Sequence, residues 1–577
     1  MSRKQRPNVV LVLTDDQGYA DLGVTGNPWI RTEAIDEFAS TAVRLNDFHV
    51  SPLCTPTRGA IMSGRRPVRN GAWATCWGRS ILKREELTMP EIFRDSGYAT
   101  GMFGKWHLGD NYPYRPEDRG FERVVCHRGG GVGQTPDHWG NNYFDDTYFA
   151  DSVPTQYEGY CTDIWFNEAM AFIEEHRNEP FFAYISTNAP HSPYLVPDSY
   201  ADLYRGNPDI PSPEFYGMIT SIDENFARLR AHLARLELEN DTILLFMTDN
   251  GSSGGCTMDR FGMLERGYNA GLRGKKGSYY DGGHRVPLFL RWPNGDLHDR
   301  NIDEMLLHID LLPTFIELCG LNLPREAEFD GISAAPILRG EADGHREDRV
   351  TFLQYRQYTE PPEKWTNCVM TRRYRLVGGG ELYDIKQDPG QLIDVAREHP
   401  DTVSRLREAH EMWWDQIEGE IYRYAHLLVG DDRENPTRLC AMDVAGDVAW
   451  NQVSIAQAQR ATGRWMVEFE RPGRYRFELR RWPEELDLAI DACISPDALR
   501  SLAPYHEPTE CRRIAANQAR LSVYGREEAL AVDSSRPFAA FERVIDETGA
   551  TELEAWFDQP GAEPMGAYYV TAVRLDR

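Results

Sequence analysis

"NVVLVLTDD", residues 8–16, is the stretch on which the fold turns: an unbroken apolar, β-branched run that stops at two aspartates. A strand that is apolar on both faces belongs inside a parallel sheet, where helices cover it above and below. Three further runs share this design: "YATGMFGKWH" (98–107), "PFFAYISTNAPH" (180–191) and "TILLFMTDN" (242–250). Between them lie segments with apolar residues at three- and four-residue spacing, such as "TMPEIFRDSG", "DIWFNEAMAFIEEHR" and "MITSIDENFARLRAHLARLELEN", which predict helices. Alternating strands and helices predict an α/β fold. Ligands of such sheets bind beyond the carboxyl ends of the strands, so Asp15, Asp16, Lys105, His107, His191, Asp249 and Asn250 are expected on one edge.

The pattern changes twice further on. "TFLQYRQY", "CVMTRRYRLVG" and "ELYDIKQDPGQ" read as short strands followed by a helix over about 402–418, a small antiparallel sheet closed by a helix. From about residue 431, "GRWMVEFERPGRYRFELRRW" alternates with period two around a Pro-Gly turn, and "GAYYVTAVRLDR" closes the chain in the same style, which predicts a β-sandwich. At 577 residues the chain exceeds one ordinary core, and three modules are expected: an α/β domain over 1–345, a small subdomain over 346–430 and a β-rich module over 431–577.

With 41% hydrophobic and 27% charged residues the composition is that of a soluble globular protein, and no apolar run approaches the roughly 20 residues of a membrane span. The apolar part of "MSRKQRPNVVLVLTDDQ" is too short for an export signal and reads as a strand. Ten cysteines at irregular spacings, with no CxxC pair, indicate neither a zinc site nor a disulfide frame; a reducing, cytoplasmic location is the expectation. A formal net charge of −27 repels nucleic acid, so no nucleic-acid or membrane partner is expected, and an anionic substrate needs a local positive pocket.

Three sets of residues carry chemistry. Asp15–Asp16 and Asp249–Asn250 end two separate strands and could bring four hard oxygen donors to one divalent cation, Ca2+ or Mg2+ rather than zinc; each pair alone could equally cap a turn. Arg58, Lys105, His107, His191 and Lys276 would supply the positive pocket, although any one of them alone is as readily a solvated side chain. Lys275 is expected to face solvent. The third element is Cys54 in "SPLCTPTRGAIMSGR" (51–65), set among Pro, Thr and Arg at the start of a helix. A thiol nucleophile has little use for a metal, so the acidic set argues against a simple thiol enzyme.

"CTPTR" followed by "GAIMSGR" resembles the type I sulfatase motif, in which the cysteine is oxidised after synthesis to Cα-formylglycine. The resemblance extends in order through "NVVLVLTDDQGYADLG", "GYATGMFGKWHLG", "APHSPY", "MTDNGSSGG", "LRGKKGSYYDGGHRVP" and "ELYDIKQDPGQ", over roughly residues 8–414. It implies an alkaline-phosphatase-like mixed sheet flanked by helices, with a smaller C-terminal subdomain. It also implies Ca2+ held by Asp15, Asp16, Asp249 and Asn250 beside the residue made from Cys54. By the same resemblance the hydrated aldehyde is the nucleophile, ionised with help from the cation and Arg58. His191 is the acid for the leaving group, Lys105 and Lys276 hold the sulfate, His107 assists release, and Asp249 lies near the nucleophile. Pro56 and Arg58 would be read by a formylglycine-generating enzyme. Thr57 stands where the family more often has Ser or Ala. A further polar residue of the sulfate pocket falls within "HRGGGVGQTPDHW", which offers His127, Gln134 and His138 without deciding among them.

The expected activity is therefore hydrolysis of a sulfate monoester, aryl or carbohydrate, with homo-oligomerisation left open. A phosphonate monoester or phosphodiester hydrolase on the same scaffold is the alternative enzyme, although Thr55 favours the sulfatase. A silent sulfate- or glycan-binding protein is the third reading, disfavoured because every catalytic position is filled. Trp73, Trp77, Trp106, Trp139, Tyr143 and Phe144 flank the expected pocket and could stack on a ring or belong to the core. The β-rich module could bind carbohydrate, cover the pocket or mediate association.

Overall fold

The computed structural model of the protein describes residues 6–341, 349–502 and 510–576. The four apolar runs form adjacent strands: Thr242–Thr248, Asn8–Thr14, Phe181–Ser186 and Ala99–Lys105 lie side by side and parallel, joined by Arg123–His127 as a fifth. Shorter strands extend both flanks to ten, with antiparallel pairings at Leu288–Arg291 and Thr147–Ala150, so the parallel centre that the strand runs predict lies within the mixed sheet that the resemblance implies. Every residue of Asn8–Thr14 and Thr242–Thr248 is buried, as expected of strands covered on both faces. The predicted helices are present as Met89–Asp95, Cys161–Glu175 and Pro213–Arg235.

Register brings the strand ends level. Thr14 pairs with Thr248, and Ser186 pairs with both Leu13 and Gly104, so Asp15, Asp249, Lys105 and Ser186 leave the sheet at one edge. Gly104 is required there: it has φ +111°, and a Cβ would lie 1.9 Å from the carbonyl oxygen of Ser186.

The helix Cys54–Ser63 is wholly buried under this edge. Pro56 lies in its first turn, where a missing N–H costs no helical bond, and Gly64 ends it in the left-handed conformation with its N–H on the Ala60 carbonyl. Leu53 provides no side-chain cap, so the positive end of the helix is spent on whatever lies beside Cys54.

The small subdomain is a four-stranded antiparallel sheet, Thr351–Gln354, Asn367–Met370, Tyr374–Val377 and Glu381–Asp384, with the helix Pro400–Ile417 against it. The boundary expected at 345/346 lies outside the described residues. Arg375, fully buried, fastens this sheet to the large domain: its Nε donates to Asp281 at 3.0 Å and a terminal nitrogen reaches His49 Nε2 at 3.0 Å.

The C-terminal region is a sandwich of two sheets, one of them Thr437–Cys440, Tyr569–Arg574, Gly473–Arg480 and Phe538–Ile545. The other is built around Thr462–Phe469, Gly549–Asp558 and Gln518–Val523, and takes up Leu427–Val429 just ahead of residue 431. The two strands around the Pro-Gly turn, Thr462–Phe469 and Gly473–Arg480, do not pair with each other; the turn carries the chain from one sheet to the other. Alternation explains the crossing. Trp465, Val467 and Phe469 on one strand and Tyr475, Phe477 and Leu479 on the next are buried in one cluster, which two facing sheets provide. Among the described residues no helix is long and apolar enough to cross a membrane.

Candidate active site

Asp15, Asp16, Cys54, Arg58, Lys105, His107, His191, Asp249, Asn250 and Lys276 form one continuous network at the sheet edge. Arg58 is its hub: Nε and a terminal nitrogen donate to Asp249 Oδ2 at 3.1 and 2.7 Å, and its other terminal nitrogen donates to the Lys105 carbonyl and to Ser186 Oγ. Lys105 Nζ donates to Asp15 Oδ2 at 2.7 Å, and Lys276 Nζ to Asp16 Oδ2 at 2.6 Å. The backbone N–H of Asp16, held at φ +65°, donates to Asp249 Oδ1 at 2.9 Å, and Asn250 Nδ2 donates to Asp16 Oδ1 at 3.0 Å. Lys275 does not face solvent freely: it is half-buried, with its ammonium reaching the Ser253 and Cys256 carbonyls, because the turn that points Lys276 inwards points its neighbour at the loop over 251–256.

The acidic set suits a cation. Ligand atoms of Asp15, Cys54 and Asp249 all lie within 4.8 Å of one another. Asp15 Oδ1 and Asn250 Oδ1 are buried without a hydrogen-bond donor, an arrangement costly to leave unmet. Burial and the facing carboxylate of Asp15 push Asp249 up to about 7 despite Arg58. Burial alone would raise Asp16 too, but Lys276, His191 and Lys105 outweigh it and hold this carboxyl well below the usual range. Three carboxylates and three cations cancel, so the site as a protein surface has no excess positive charge for an anion. A divalent cation on the oxygen donors would restore that excess.

The two histidines have defined tautomers, since a carbonyl can only accept. His107 Nε2 lies 2.9 Å from the Thr75 carbonyl and carries the proton, so the bare Nδ1 faces Cys54 Sγ at 3.7 Å. Burial and Lys105 hold His107 well below its ordinary pKa, in the neutral form. His191 Nδ1 donates to the Ser192 carbonyl at 2.6 Å, and its Nε2 faces Asp16 at 3.6 Å. Burial, with Lys276 and Lys105, brings its pKa down to about 4, against the pull of Asp16. The Cys54 thiol is pushed up by burial, more than Lys105 and Lys276 pull it down, so it is no thiolate.

Of the three residues left undecided, Gln134 is the one that meets the glycine loop beside His191. Its Oε1 accepts from the Gly130 N–H at 2.7 Å, and its amide nitrogen and His191 Nδ1 lie 3.4 and 3.7 Å from where a Cβ on Gly131 would stand. His127 is buried beside Trp165, with Nδ1 on the Arg128 carbonyl. His138 faces a cavity of about 390 Å3 between the large domain and the sandwich. Trp73 and Trp106 are core, Trp139 packs on Trp482, and Phe144 packs on Tyr160. Tyr143 donates to the His191 carbonyl at 3.1 Å, and Trp77 lies against Tyr358 of the small subdomain. Ser186, the Thr75 carbonyl and Gly130 were not expected. The only signal for Ser186 was its place at a strand end between two strands already identified.

The fold and this edge define a hydrolase in which a buried nucleophile position, hard oxygen donors and paired cations meet at the ends of parallel strands. The sulfatase family model matches residues 7–321, more than half of the chain, and the model described as "N-sulphoglucosamine sulphohydrolase, C-terminal" matches residues 274–413. The chain belongs to the sulfatase family, of the alkaline-phosphatase-like superfamily, and is a sulfuric ester hydrolase. It is 29% identical to Arylsulfatase A of Homo sapiens over 469 residues, covering 70% of this chain and 86% of the relative. It is 30% identical to N-acetylgalactosamine-6-sulfatase of Homo sapiens over 377 residues, covering 60% of this chain and 68% of the relative. Its fold is similar to the crystal structure of Ps i-CgsB in complex with k-i-k-neocarrahexaose, with a TM-score of 0.63 at 24% identity, covering 71% of this chain and 93% of that one.

Proposed function

We propose that the protein hydrolyses a sulfate monoester, aryl or carbohydrate, through a formylglycine made from Cys54, with Ca2+ held by Asp15, Asp16, Asp249 and Asn250. The observation that carries this reading is the surroundings of position 54. The thiol is buried and held protonated, and it lies within 4.8 Å of two carboxylates that would repel a thiolate, while a neutral imidazole presents it with a bare nitrogen able to take a proton. An oxygen nucleophile suits those neighbours. The cation supplies positive charge that lowers the pKa of the attacking hydroxyl and stabilises the sulfuryl oxygens.

The chain's own groups do the rest. One hydroxyl of the hydrated aldehyde gives up its proton to Asp249, whose carboxylate lies within 4.8 Å of position 54, and attacks sulfur as the S–O bond to the alcohol breaks, while His191 delivers a proton to the departing oxygen from Nε2. Its low pKa in the free protein means that protonation awaits the bound anion, whose charge offsets Lys276 and Lys105. Those lysines and Arg58 hold charge as it develops. His107 Nδ1 then takes the proton of the second hydroxyl, the C=O bond reforms, and the C–O bond to sulfate breaks. Water re-hydrates the aldehyde.

A phosphonate monoester or phosphodiester would place a similar anion on the same cations, so the test compares them. Protein produced with a formylglycine-generating enzyme is assayed on aryl sulfate, aryl phosphate diester and aryl phosphonate, with and without chelator. Preference for sulfate, lost on chelation and restored by calcium, is expected; preference for a phosphorus ester would overturn the reading. The mass of the tryptic peptide Leu45–Arg58 reports the aldehyde directly.

A further inference from the structure

The sandwich lies outside both family matches, yet it reaches the active site. Residues 129–131, three consecutive glycines, lie flat across the two site histidines. A Cβ on Gly130 would stand 2.3 Å from His107 Cε1, and one on Gly131 would stand 3.7 Å from His191 Nδ1. This roof continues into residues 133–140, of which 135–138 border the cavity of about 390 Å3 while Trp139 packs on Trp482 of the sandwich. Within the large domain the Gly129 N–H donates to Asp110 and the Gly133 N–H to Asp137, and the sandwich supplies the hydrogen bonds from the other side.

Gln452, 1% exposed, is the principal clamp. Its Nε2 reaches the carbonyls of His138 at 3.1 Å and of Gln134 and Asp137 at 3.4 Å, and its Oε1 accepts from the Gly140 N–H at 3.0 Å. Its own N–H donates to the Gly133 carbonyl at 3.3 Å. Around it the Thr135 N–H donates to the Trp450 carbonyl at 3.1 Å, Thr135 Oγ1 to the Ala449 carbonyl, and Tyr569 OH to the Thr135 carbonyl at 2.9 Å.

We infer that the sandwich is a working part of the active site, and that Gln452 is a positioning residue which sets the roof over His107 and His191. This rests on the sulfatase reading above, in which His191 protonates the leaving group. If the roof slackens, His191 loses its alignment, and esters whose alcohol cannot leave without a proton suffer most.

The experiment uses the full, formylglycine-bearing chain with 4-nitrophenyl sulfate, a good leaving group, and phenyl sulfate, a poor one. kcat/KM reports events up to S–O cleavage, so the later step assisted by His107 does not enter it. For Gln452→Ala we expect phenyl sulfate kcat/KM to fall about tenfold or more and 4-nitrophenyl sulfate less than about threefold, the scale of a slightly misplaced catalytic group. Tyr569→Phe removes a single hydroxyl from the same segment and should move the ratio the same way by less; it carries the test if Gln452→Ala does not fold. Equal losses on both esters, or none, would overturn the inference. Failure of the formylglycine-bearing wild-type protein to hydrolyse either ester would instead overturn the sulfatase reading, and this inference with it.

Discussion

At position 54 the side chain is 2% exposed and its nearest partner is an imidazole nitrogen, so its removal leaves a small cavity and little else. Cys54→Ala is expected to abolish turnover while costing about 1 kcal/mol or less of stability, the loss of one small buried group; retained turnover in a standard aryl sulfate assay would refute the nucleophile assignment. Asp249 is different, because it accepts from both Arg58 and the Asp16 backbone as well as facing Asp15. Asp249→Ala should lower calcium content, read by atomic emission on dialysed protein, together with activity; unchanged bound calcium would remove Asp249 from the ligand set. These residues were legible because each stands at the end of an apolar run or inside a dense motif. Thr75 and Gly130 were not, since what they contribute is a carbonyl and a bare Cα, which no residue type announces.

Among the elements, the buried link between the small antiparallel sheet and the large domain is the one most exposed to a single change. Arg375 makes its bonds to Asp281 and His49 with no access to water, and truncating it leaves the Asp281 carboxylate buried without its hydrogen-bonded cation. Arg375→Ala should cost about 3–5 kcal/mol in urea unfolding at neutral pH, the usual cost of breaking a buried pair from one side. Burial alone would raise the Asp281 carboxyl, yet Arg375, His284 and His49 together bring it down to about 2. Its folded pKa lies below the roughly 3.9 of an unfolded aspartate, so this stabilisation is full above about pH 4 and is lost as pH falls towards 2. Urea midpoints of wild type and variant should therefore converge between pH 4 and pH 2; a constant gap across that window would show that the ion pair is not the source. The central strands were readable from their apolar continuity, which is a local property. The crossing of the Pro-Gly turn between two sheets was not, because alternation names the inward face of a strand and leaves its neighbours unnamed.

On the scale of the whole molecule, the sandwich and the large domain share a core. Ile81 and Tyr114 from the first part of the chain are buried in the same cluster as Trp465, Phe477 and Val570, and the Tyr114 hydroxyl donates to the His426 carbonyl at 2.6 Å. The full chain should unfold in one cooperative transition by scanning calorimetry, and a chain ending at residue 430 should be less soluble and inactive. Two separated transitions would mark the sandwich as an independent unit. The period-two pattern after residue 431 gave away a sandwich but not its docking, because scattered apolar residues such as Ile81 and Tyr114, backbone carbonyls and a buried glutamine carry no pattern that names their partner. All ten residues of the helix that begins at Cys54 are buried. On the proposed reading a modifying enzyme would have to reach that sulfur before the chain closes over it, so oxidation would compete with folding. A chain that folded first would keep its thiol, and the specific activity of a preparation would then record which process was faster when it was made.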